Sequence, residues 1–214
     1  MKINNKAKGV VWIAGDGFGS AEIAGLFNET GRTALHINPG LDRAGYTDTA
    51  TLAAKQGAPG MLINNFFTPL QDTLLHDIDD NTVSEVYRRF DAYSYFSKRA
   101  IPHFINGGVI INIVPALGQI PARGQSLISA LASGVIAMTR SWAIELAYLG
   151  FRTCAIATGF TVEENAPFTY PAIKRIVTSK DIFDLIMFLE NSEMVDGSCI
   201  SLEGGYIAGY ARDF

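Results

Sequence analysis

The chain is poor in the residues that build metal centres, disulfide frameworks and nucleic-acid surfaces. It holds two cysteines and three histidines in 214 residues. His36, His76 and His103 lie too far apart for any His/Cys ligand spacing, so no metal is expected and each reads as a surface or capped histidine. Cys154 and Cys199 fall in segments that read as buried strands, which favours reduced packing residues over a disulfide and points to the cytoplasm. Basic residues are scattered: 17 Lys and Arg stand against 21 Asp and Glu, a net charge of −4. Without concentrated positive charge a nucleic-acid partner is not expected. No apolar run reads as long enough to span a membrane. The run Val10 to Ala14, behind Lys2, Lys6 and Lys8, is short and ends in a glycine loop, so it reads as a first strand rather than a signal peptide.

What is present is the composition of a folded globular protein, 48% apolar and 18% charged, with a length that suits one domain over residues 1–214. Short apolar runs alternate with longer stretches of helical period. Strands read at Gly9 to Ala14, Thr33 to Asn38, Gly60 to Ile63, Gly108 to Ile113, Arg152 to Ala157 and Gly197 to Leu202. Helices read at Ser20 to Glu29, Thr82 to Phe104, Leu127 to Leu149 and Lys180 to Glu190. This alternation predicts an α/β fold, a Rossmann-like doubly wound parallel sheet of six to seven strands. Pro39 to Pro59 is too short for the usual strand–helix–strand unit, which takes roughly thirty residues. It leaves room for one short helix, Thr49 to Lys55, so the sheet is expected to be truncated between its second and fourth strands.

Five segments in order carry a resemblance. They are Ala14-Gly15-Asp16-Gly17-Phe18-Gly19; Leu62-Ile63-Asn64-Asn65; Ile110-Ile111-Asn112-Ile113; Thr139 to Ala147 followed by Gly150-Phe151-Arg152; and Asp196-Gly197 with Glu203-Gly204-Gly205-Tyr206. Together they resemble the short-chain dehydrogenase/reductase (SDR) family across most of the chain.

The same register shows which family residues are replaced. The resemblance puts Pro115 at the family's catalytic serine, Ile128 at its tyrosine, Ala132 at its lysine and Asp91 at its helper asparagine. Hydride transfer at a carbinol carbon needs a proton acceptor at the oxygen, which the family makes by setting a lysine charge beside a phenol. Isoleucine carries no such proton, alanine removes the charge, and proline has neither hydroxyl nor N–H. The expectation is therefore a chain with no catalytic residues and no enzyme activity on its own.

On the cofactor side, Gly15, Gly17 and Gly19 read as a degenerate glycine loop whose glycines serve a tight turn. Asp16 would set a negative charge beside a diphosphate, and Phe66 and Phe67 would fill a slot where the family has small residues. No cofactor is expected in this chain. Asn64 and Asn65 read as amides that pin a strand end, the aromatics of Asp91 to Phe96 as core or interface, and Asp77, Asp79 and Asp80 as a solvated turn and helix cap.

The resemblance further implies a partner. The helices 82–104 and 127–149 match the family's subunit contacts, the second mixing small residues with Met138 and Trp142, and the tail keeps Tyr206, Ile207, Tyr210 and Phe214. These imply a homologous catalytic SDR subunit that binds NAD, in a heterodimer or heterotetramer. Two other readings stay open: a ligand-sensing or scaffolding protein, and a cofactor-independent lyase such as a halohydrin dehalogenase.

Overall fold

The computed structural model describes residues 9–40, 42–159, 161, 173 and 175–208. Six parallel strands form one sheet in the order β2-β1-β3-β4-β5-β6. They are β1 Val10–Ala14, β2 Ala34–Ile37, β3 Pro59–Asn64, β4 Gly108–Pro115, β5 Phe151–Thr158 and β6 Cys199–Leu202. β1, β3, β4 and β5 are nearly continuous apolar runs because both of their faces are covered. Among the described residues five helices do the covering: α1 Ser20–Glu29, α2 Arg43–Ala54, α3 Asp80–Ala100, α4 Ser126–Leu146 and α5 Ser179–Asn191. On one face α2, α3 and α4 pack around Trp12, Tyr46, Tyr93, Phe96 and Ile110. On the other, α1 and α5 enclose Ile13, Ile63, Ile111 and Ile156, with Phe27 edge-on to Phe183 at 4.9 Å.

The expected truncation is seen among the described residues. α2 alone carries the chain from β2 to β3, so β2 is left at the sheet edge. α2 is longer than the Thr49 to Lys55 expected. Asp42 caps it by accepting from the Ala44 N–H at 3.2 Å, and Tyr46, Ala50 and Ala53 are buried at the spacing of one helix face. α3 starts earlier than expected because Asp79 accepts from the N–H groups of Asn81 and Thr82, at 2.9 and 3.0 Å.

The expectation about membrane-spanning length needs correction. Ser126–Leu149, which is α4 with the short 3-10 turn Ala147–Leu149, is long and apolar enough to cross a membrane by length and composition alone. Here Ile128, Leu131, Ala132, Val135 and Ile136 of this helix belong instead to the core it shares with β4 and β5.

Buried polar groups hold the sheet together at its centre. The Asn64 amide donates to Asn112 Oδ1 and to the Ser97 hydroxyl, both at 2.8 Å; Asn112 donates to Thr139 Oγ1 at 2.9 Å; and Thr153 donates to the Thr139 carbonyl at 2.7 Å. Farther out, the Arg152 guanidinium donates to the carbonyls of Leu189, Glu190, Ser192 and Val195 at 2.9–3.1 Å, closing the end of α5 onto β5.

Candidate functional site at the carboxyl edge of the sheet

In an open parallel sheet the crevice for a ligand lies beyond the carboxyl ends of the strands, where the strand order reverses. Here that reversal falls between β1 and β3. The loop leaving β1 is stitched to its neighbours: the N–H of Gly15 donates to the Ile37 carbonyl at 2.9 Å and that of Gly17 to the Asn65 carbonyl at 2.8 Å. Gly15 has φ 103°, which only glycine adopts readily. A Cβ there would run into the Asn65 carbonyl and come within 2.9 Å of the Phe66 ring; one on Gly17 would run into the Asn65 side chain. Gly19 is the residue that caps α1, without a side-chain bond.

Asn64 and Asn65 are the pins expected of them. Asn65 donates to the Phe18 carbonyl at 2.9 Å and to the Ser20 hydroxyl at 3.0 Å, holding the start of α1. Phe66 is buried, edge-on to Tyr93 and Phe96 with ring centroids at 5.4 and 6.2 Å, and Phe67 packs half-buried on the same core.

Three of the four family positions meet at one corner. Pro115 ends β4 beside Thr158, and the 3-10 turn Ala116–Gly118 then packs on α4 so closely that a Cβ on Gly118 would lie 2.8 Å from that of Ala132. Ser133 donates to the Gly118 carbonyl at 2.9 Å and holds that contact. Ile128 is 2% and Ala132 0% exposed, both facing the core. Proline, isoleucine and alanine offer no titratable group. The phenol carried by the facing helix, Tyr93, is buried, donates to the Ile113 carbonyl at 2.6 Å, and is pushed well above the ordinary phenol range by that burial.

Asp91 is not at this corner. It sits on the outer side of α3 paired with Arg43, whose guanidinium also lies 4.1 Å over the Tyr95 ring. The side chain of α3 that reaches the edge is Arg89, which the sequence reading did not single out. It donates to Glu85 through Nε and Nη2 at 3.0 and 2.7 Å and to the Phe66 carbonyl at 3.0 Å, and it faces Asp16 at 3.4 Å. The Glu85–Arg89 spacing was the available signal, but pairs four apart on a helix are usually solvated, and this arginine is buried.

A dinucleotide site of this fold needs an open glycine loop that the diphosphate can approach, and a carboxylate near the end of the second strand for the ribose. Here Asp16 stands inside the loop, the residues after β2 are Asn38 and Pro39, and no strand among the described residues flanks β2 on its outer side. The residues present do not fit the group. Among the described residues no three His, Cys, Asp or Glu side chains could hold a metal ion. Cys154 and Cys199 are both free thiols, raised by burial. Tyr210 and Phe214 lie outside the described residues, while Tyr206–Ala208 forms a short 3-10 turn.

The fold and the order of these loops define a Rossmann-like doubly wound domain, and comparison with known proteins makes the class specific. The family model described as short chain dehydrogenase matches residues 10–168, and the chain belongs to that family. It is 30% identical over 178 residues to a 7alpha-hydroxysteroid dehydrogenase of Paraclostridium sordellii, covering 74% of this chain and 67% of that one. It is 25% identical to a cis-4-hydroxycyclohexanecarboxylate dehydrogenase of Sinomonas cyclohexanicum, covering 94% and 88%. Among solved structures, a short-chain dehydrogenase/reductase of Brucella melitensis superposes with a TM-score of 0.79 at 19% identity, covering 92% and 95%.

These relatives correct one expectation. A chain with no enzyme activity of its own was anticipated from Pro115, Ile128 and Ala132; the relatives are named as dehydrogenases and reductases, which points to an enzyme.

Proposed function

We propose that this chain works within an NAD-dependent SDR oxidoreductase as the paired subunit of a homologous chain, which carries the serine, tyrosine and lysine and binds the nicotinamide cofactor. The observation that carries this reading is the corner of Pro115, Ile128 and Ala132: two of its side chains are all but inaccessible, and none can accept a proton. Supporting it, α4 turns small residues outward at Ala130, Ser133 and Ala137, and Tyr87 of α3 is 65% exposed. Small residues on an outward face allow close approach of a second helix pair.

The hydroxyacyl thioester class is the proposed substrate and the cytoplasm the proposed location. Among two-subunit family enzymes, the chain resembles the truncated subunit of the dehydrogenase that oxidises 2-(hydroxy-phenyl-methyl)succinyl-CoA in anaerobic toluene breakdown. The likeness lies in the shortened first half, the replaced residues and the retained subunit contacts. Affinity purification of the tagged full chain from its native cells, followed by mass spectrometry, tests the proposal. A stoichiometric family member with an intact tyrosine and lysine four apart is expected; recovery of this chain only with copies of itself overturns it.

A further inference from the structure

We infer that Asp16, Arg89 and Glu85 form an internal ion cluster that sets what the glycine loop accepts, and that it makes the loop refuse a diphosphate. The inference stands on this chain's own geometry and does not depend on a partner subunit.

Arg89 is the one cation of the cluster. Its side chain is 9% exposed, and its donors are directed at the two Glu85 contacts, the Phe66 carbonyl and Asp16. A guanidinium has five N–H groups in a rigid fork, and its value to a phosphate is two parallel free donors on one side. Here Glu85 already takes the Nε and Nη2 side. With two carboxylates to one guanidinium, the cluster carries a net negative charge.

Asp16 is the member that faces a ligand. It is about half exposed and held at 3.4 Å, the longest contact of the set. It also sits between Gly15 and Gly17, whose tight packing on Asn65 and Phe66 already shapes the turn. The turn has no need of a carboxylate there. Its effect is electrostatic: a diphosphate approaching the start of α1 meets a negative charge where loops of this fold offer only N–H groups. Asp16 and Glu85 are thus specificity determinants against anions, and Arg89 is the positioning residue that keeps both at the edge.

The test uses the purified full-length chain, titrated calorimetrically with inorganic pyrophosphate, ADP and NAD in low-salt buffer. The wild type is expected to bind none of them tighter than the millimolar range. The Asp16→Asn, Glu85→Gln pair exchanges each carboxylate for an amide of like shape and leaves Arg89 uncompensated. It is expected to bind pyrophosphate and ADP at least about tenfold more tightly, with the gain lost at about 0.5 M salt, where the screening length is only a few ångströms. Adding Arg89→Met should leave only the smaller gain that comes from the lost repulsion. If the pair lowers the melting temperature, Asp16→Asn alone, altering a half-exposed side chain, serves in its place with an expected gain of about threefold. Micromolar NAD or ADP binding by the wild type overturns the inference. So does a folded variant with no gain.

Discussion

At the centre of the sheet Asn64, Asn112 and Thr139 exchange hydrogen bonds across β3, β4 and α4. Three residues further along β4, the buried corner of Pro115, Ile128 and Ala132 exchanges none through its side chains. The two regions share a strand and a helix, yet one is wired with polar side chains and the other is filled with aliphatic ones. A buried amide costs less where it finds a partner, as the Asn64 amide nitrogen does, although Asn64 Oδ1 has none among the described residues; a buried ammonium costs more still unless it is paired. The difference teaches that the fold's framework and its chemistry answer to separate constraints. This chain keeps the first at the centre of its sheet and replaces the second at one corner.

The sharpest way to break the comparison is to put charge into the aliphatic corner. Ala132→Lys sets an ammonium at a fully buried position and should cost about 4 kcal/mol at neutral pH, the scale of an unpaired buried charge. Burial lowers the folded-state pKa of such a lysine below its unfolded value, so between the two the unfolded chain binds more protons. Stability should therefore recover as pH rises toward about 10. Chemical denaturation at pH 7 and pH 10 measures both effects. A lysine tolerated at neutral pH would mean the corner is a hydrated cleft.

Breaking the wired region should cost less. Asn112→Ala removes one donor and one acceptor from a site with no exposure, for about 3 kcal/mol. In a chain of this size that is a fall of roughly 6–12 °C in melting temperature. If the change is neutral, the ladder is not a framework.

Tyr46 sharpens the contrast from the shortened side of the fold. It is buried on α2, its hydroxyl has no hydrogen-bond partner among the described residues, and burial raises it to about 12. Tyr46→Phe is expected to stabilise by about 1 kcal/mol, because it deletes an unsatisfied group and keeps the ring. Loss of stability would show that the hydroxyl is bonded.

The smallest effect is expected at a cap outside both regions. Asp181 is held well below the usual carboxylate range, first by Arg175 and then by its reciprocal bonds with Thr178 at the start of α5. A depressed folded pKa contributes stability above the unfolded value of about 3.9, and that stability is lost as pH falls toward the folded one. Asp181→Asn should thus cost about 1 kcal/mol at pH 7, with the difference from wild type shrinking in acid. A cost that does not change with pH would remove the charge from the explanation.

Much of the fold was legible in the residues. The runs that became β1, β4 and β5 are apolar because they are covered on both faces, and α1 matches its reading from Ser20 to Glu29. The shortened second crossover was legible from length alone. α2 was under-read: Gly45 and the separate Thr47, Thr49 and Thr51 have weak helix propensity, and the Asp42 cap and the Tyr46, Ala50, Ala53 spacing would have extended it. At the site, Pro115, Ile128 and Ala132 lie on β4 and α4, two consecutive elements that were both expected from the residues. Arg89 was not, since its partners Asp16 and Phe66 come from the ends of two other strands. Nor was the Asn64–Asn112 bond, which joins residues 48 apart.

The central proposal is that this chain is paired with a homologous SDR chain that binds the nicotinamide cofactor. Counting nicotinamide in the natively purified assembly by native mass spectrometry tests it most directly. The account predicts one NAD for each partner chain and none for this one; an assembly with one NAD per chain of either kind would contradict it.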